Sequence, residues 1–64
     1  YAGNEIEKAI DALHEDYRLP FRMHLEGFKY EEIAEKLNLK LGTVKSRIFF
    51  ARKKLMSVLK DYSG

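Results

Sequence analysis

The chain has 64 residues, 12 basic and 10 acidic side chains, no cysteine and a mean hydropathy of −0.44. One domain with one small core is all that length supports, and without cysteine neither disulfides nor a thiolate metal site can staple it. No apolar run approaches the roughly 18 residues of a membrane span and no signal-peptide segment opens the chain, so a soluble cytoplasmic protein is expected.

Every segment reads as helix, and nothing alternates with period two for long enough to make a strand. The first helix is expected from Glu5 to Leu13, with Asn4 and Glu7 in the spacing of a capping box and Ile6, Ala9, Ile10 and Leu13 as its apolar stripe. Asp16 is expected to cap a second helix, Tyr17 to Glu26, which places Pro20 in the first turn, where few backbone bonds are lost. Phe21, Met23 or His24, and Leu25 supply its inner face, and Gly27 ends it in a left-handed conformation. A third, short helix runs from Tyr30 to Leu37, with Glu31 and Glu32 at its positive dipole end and Ile33, Ala34 and Leu37 facing inward. Asn38 tolerates the left-handed region and suits a tight turn, with Leu39 tucked beneath it. The fourth helix follows from Leu41 to Leu59. A short helix, a tight turn and a longer basic helix make a helix-turn-helix, so the expected fold is all-α, four helices, in a single domain over residues 1–64. Its expected core is Ile10, Leu13, Phe21, Leu25, Ile33, Leu37, Val44, Ile48 and Leu55.

The fourth helix carries most of the functional information. Stepping about 100° per residue from Val44 brings Ile48, Ala51 and Leu55 back to one seam facing the core. Ser46, Phe49, Phe50 and Lys53 fall on the far side, with Lys45 and Arg52 on one flank and Thr43, Arg47 and Lys54 on the other. A core face does not carry this many cations, and a solvated face rarely carries two phenylalanines. A helix that enters a nucleic-acid groove uses both, cations for phosphates and polar or apolar tips for base edges. Adjacent positions cannot both face the seam. One phenylalanine can therefore fold back onto the first or second helix, leaving the other to meet thymine methyls. Arg47 has a competing partner in Glu35.

Charge is divided along the chain in the same sense. Residues 1–37 hold five basic and nine acidic side chains, a net of −4, whereas residues 38–64 hold seven basic and one acidic, a net of +6. Such a molecule meets a polyanion through one side.

The run from Glu26 to Leu37, Glu-Gly-Phe-Lys-Tyr-Glu-Glu-Ile-Ala-Glu-Lys-Leu, followed by Leu41-Gly42-Thr43-Val44-Lys45-Ser46-Arg47, resembles region 4 of bacterial sigma-70 family sigma factors. The likeness is strongest to the small extracytoplasmic-function type. The stretch Leu13-His14-Glu15-Asp16-Tyr17-Arg18 is similar to the segment ahead of the second helix in that family, and the resemblance covers roughly residues 5 to 60. It implies a module that grips the −35 promoter element with its fourth helix and rests on the β-flap of RNA polymerase, with an anti-sigma factor as a further partner. By position, it places Tyr30, Thr43, Lys45, Ser46, Arg47, Phe49, Phe50, Arg52 and Lys53 at or near DNA. Leu19, Phe21 and Met23 are the expected lining of a docking groove for a polymerase or anti-sigma helix. The chain departs from the family pattern at Lys29, where a serine or threonine cap is usual, and at Asn38, where glycine is common. It departs again at Phe50, where several relatives carry a basic or polar base-reading residue. Because the chain begins at Tyr1 rather than Met, it is expected to be the C-terminal part of a longer factor.

His14 and His24 lie ten residues apart without the i,i+4 spacing of helical metal ligands, so no metal site or other cofactor is expected. No nucleophile–base pair, phosphate loop or paired carboxylates stand out, so no enzymatic activity is expected. Two rival readings stay open: the DNA-binding output domain of a LuxR-type response regulator, and the DNA-binding tail of a recombinase. Response-regulator domains usually carry histidine where Arg47 stands and have a shorter fourth helix.

Overall fold

The computed structural model describes residues 3–63, with the side chains of residues 5–60. Four helices follow in order: α1 (Gly3–Asp11), α2 (Glu15–Leu25), α3 (Tyr30–Leu37) and α4 (Leu41–Ser63). There is no strand among the described residues. At about 1.5 Å per residue, the 23 residues of α4 span roughly 35 Å. That helix accounts for the long dimension of a molecule measuring 37 × 18 × 16 Å, and α1, α2 and α3 all pack against it. Among the described residues no helix is long and apolar enough to cross a membrane.

The core is Ala9, Ile10, Leu13, Phe21, Ile33, Ala34, Val44, Ile48, Ala51 and Leu55, with Met23, Phe28, Tyr30, Leu37, Leu39 and Val58 packed around it. It contains no buried polar or charged residue. The seam expected of α4 is therefore its buried face, and small Ala34 and Ala51 let backbones approach closely. Leu25 corrects the expected core. Although one turn beyond Phe21, it is 59% exposed, because it closes the last turn of α2 with nothing packed over it.

Two helix ends use the same device. At the end of α2 the Phe28 amide donates to the Met23 carbonyl (3.1 Å) and Gly27 to that of His24 (3.1 Å). At the end of α3 Leu39 donates to Ala34 (2.8 Å) and Asn38 to Glu35 (3.3 Å). Both are Schellman motifs, in which one left-handed residue lets the following apolar side chain turn back onto the core. Gly27 takes φ 104° and Asn38 φ 54°, and Phe28 and Leu39 are the side chains that turn inward. The second motif makes the three-residue turn of the helix-turn-helix and sets the angle at which α4 leaves α3.

The starts of α1 and α2 differ from expectation, and α3 lacks the usual cap. α1 begins at Gly3, so Asn4 lies inside it, and its side-chain cap falls outside the described side chains; the helix ends at Asp11 rather than Leu13. α2 begins at Glu15, and its cap is His14, whose Nδ1 accepts from the Asp16 amide at 3.1 Å. This two-residue shift moves Pro20 out of the first turn and into the helix body, where it is fully buried. Having no N–H, Pro20 leaves the Asp16 carbonyl without an i+4 donor, and its ring fills core space in compensation. At α3, Lys29 cannot accept a bond from the helix; only the reciprocal half of the capping box forms, the Lys29 amide donating to Glu32 Oε1 at 2.8 Å.

α1 is tied to α2 by charge. Arg22 donates to Glu7 (3.1 Å) and to Asp11, while Arg18 reaches the Asp11 and Leu13 carbonyls (both 3.4 Å), capping the negative end of α1. The two carboxylates raise the pKa of Arg22 above its ordinary value, Asp11 contributing most. Being exposed, this clasp is screened by salt and orients α1 more than it stabilises the fold.

Candidate nucleic-acid interface

Because α1, α2 and α3 all lie against α4, its remaining surface is presented outward. Lys45, Ser46, Phe49, Phe50, Arg52 and Lys53 are exposed there, whereas Thr43 and Arg47 are half-buried at the edge nearer α2. No acidic residue occurs from Asn38 to Lys60. Among the described residues none of the cations from Lys40 to Lys54 forms an ion pair, so their charge is available to a polyanion.

Neither phenylalanine folds into the core: Phe49 is 56% and Phe50 54% exposed. They pack on each other edge-to-face, ring centroids 5.6 Å apart and planes at 74°. Lys53 Nζ lies over the Phe49 ring at 5.8 Å from its centroid. Phe50 leans towards α2 and shares two grooves with Tyr17. One, of about 510 Å³, is lined by Ala12, Leu13, His14, Tyr17, Phe50, Ala51, Lys53, Lys54 and Ser57. The other, of about 590 Å³, is lined by Asp16, Tyr17, Lys40, Gly42, Thr43, Ser46, Arg47 and Phe50.

Arg47 does not pair with Glu35. It reaches instead into a smaller cleft with Glu15, Asp16, Leu19, Pro20, Leu37 and Leu39, where α2 meets the helix-turn-helix. Tyr30, half-buried at the start of α3, stands with its ring 5.1 Å from that of His24. The His24 Nδ1 is buried without a hydrogen-bond partner. Among the described residues no group of histidine, cysteine and carboxylate side chains is arranged to hold a metal.

The expected partner lining separates. Phe21 is a core residue, 7% exposed, and offers no docking surface; Leu19 is 42% exposed and Met23 half-buried against the core. Residues two apart on a helix point about 200° apart, so Phe21 cannot share a face with the other two. Conversely, Lys40 and Tyr17 line the grooves beside α4 and were not among the expected site residues. Lys40, immediately before the helix in the basic half, carried the charge signal that could have found it. Tyr17 meets α4 only through the fold.

Residues 3–55 match the family model described as Sigma-70, region 4. The chain is 39% identical over 63 residues to the "ECF RNA polymerase sigma factor SigE" of Mycolicibacterium smegmatis, covering 97% of this chain and 24% of that protein. It is 46% identical over 46 residues to the "ECF RNA polymerase sigma-E factor" of Salmonella typhimurium and of Escherichia coli K12, covering 70% of this chain and 24% of each. The chain thus spans about a quarter of the length of these relatives. No solved structure matches it. With four helices in the helix-turn-helix arrangement and a family match across most of its length, the chain belongs to the sigma-70 region 4 family.

Proposed function

We propose that this chain is a binding module without catalytic activity that recognises the −35 element of promoter DNA within a cytoplasmic extracytoplasmic-function-type sigma factor. The observation that carries this reading is the outward face of α4 from Lys45 to Lys54, which has no acidic residue, cations that form no ion pair among the described residues, and two half-exposed phenylalanines at its centre. Lys45, Arg47, Arg52 and Lys53 would neutralise phosphates, with Thr43 and Tyr30 near the backbone at the edges. Ser46, Phe49 and Phe50 would meet base edges in the major groove. RNA polymerase core would hold the module through its β-flap, and an anti-sigma factor would compete for related surface, with Leu19 and Met23 as the contacts α2 offers. The match to region 4 leaves the response-regulator and recombinase readings without support.

One small module makes few phosphate contacts, so its binding alone is weak at physiological salt and is best measured at low salt. Amide resonances followed during titration with random-sequence duplex DNA should shift at Tyr30 and across residues 41–54, leaving α1 unmoved. Shifts confined to α1 and the acidic side of α2 would remove the assignment. A polymerase flap-helix peptide should shift Leu19 and Met23; if residues 5–37 stay unshifted, the docking site is elsewhere.

A further inference from the structure

Of the four phenylalanines, Phe21 is buried and Phe28 packs on the core, while Phe49 and Phe50 stay about half exposed at neighbouring positions of α4. A chain with so small a core would gain stability by burying those rings, so their position outside needs a reason. They are also not independent. Their edge-to-face contact orients each ring against the other, and Lys53 Nζ lies over the Phe49 ring.

An apolar tip can distinguish bases in the major groove only by an apolar feature, which thymine supplies as its C5 methyl. Successive bases rise about 3.4 Å along a strand. The 5.6 Å between the ring centroids exceeds one such step and falls short of two. Resting on the reading of α4 as the DNA-facing helix, we propose that Phe49 and Phe50 act as one aromatic wedge reading the C5 methyls of two neighbouring thymines, with Lys53 holding the wedge in register.

The test uses the 64-residue chain and the duplex it prefers from a random pool, resynthesised with deoxyuridine for thymidine one position at a time. Uracil keeps every hydrogen-bonding group and loses only the methyl. Affinity should fall about fourfold at each of two adjacent positions and roughly fifteenfold when both are replaced, the loss expected for removing one or two buried methyl groups. Phe50→Ala, at an exposed site and checked for unchanged helical circular dichroism, should abolish uracil sensitivity at both positions, because Phe49 loses its support. Equal affinity for the thymine and uracil duplexes would overturn the wedge while leaving DNA binding intact. Loss of sensitivity at one position only would show two independent rings and overturn the coupled unit. Failure to select any duplex would remove the DNA reading and the wedge with it.

Discussion

Val44→Asp should unfold the domain. Val44, on α4, is fully buried, and the core around it has no polar or charged side chain to receive a carboxylate. Burying an unpaired charge and losing the valine contacts costs several kcal/mol, roughly 4 or more. A domain of this size has total stability on the order of 3–10 kcal/mol. The expected result is loss of helical circular dichroism at 25 °C, or a urea midpoint moved close to zero. Ser46→Asp provides the control: two residues along the same helix but exposed, it should leave the fold intact while weakening DNA binding.

The second large effect is electrostatic. Replacing Lys45, Arg52 and Lys53 together by alanine removes three exposed cations from α4 without touching its seam, and alanine favours the helix. Each phosphate contact contributes about 0.9 to the slope of log affinity against log salt. The triple variant should therefore lose close to three units of slope and roughly 100- to 1000-fold in affinity at about 0.1 M salt. An unchanged slope would mean that these side chains do not meet phosphates.

How far the sequence disclosed this arrangement depended on what each residue's role required. The limits of α3, the left-handed Asn38 and Gly27 and the inward face of α4 follow from backbone chemistry and from a period that repeats over many residues. They were legible. Leu25 was misplaced because helical periodicity gives a direction but not whether another element lies opposite. Pro20 and the cap at His14 were misplaced for a local reason: aspartate is the better cap by general preference, yet here the helix starts earlier and an imidazole nitrogen accepts the same kind of bond. At the candidate interface, the cations and the two phenylalanines could be read directly from their angular positions. Phe21 was read both as core and as lining of a docking groove, and only the core reading fits the fold, while the grooves that Tyr17 shares with Phe50 exist only once α2 is laid against α4. Pairing across helices is set by the packing of the whole chain, which a window of sequence does not contain.

The central claim is a division of labour on α4, with phosphates held by its flanking cations and bases read by its centre. Selection of duplexes from a random-sequence pool, run with the chain and with two variants, tests it most directly. The unaltered chain should enrich one short motif. Lys45→Ala should enrich the same motif with uniformly lower affinity, whereas Phe50→Arg should change the preferred base at one position, by about 1–3 kcal/mol of discrimination. A Phe50→Arg selection identical to that of the parent chain, together with an altered motif for Lys45→Ala, would contradict the account.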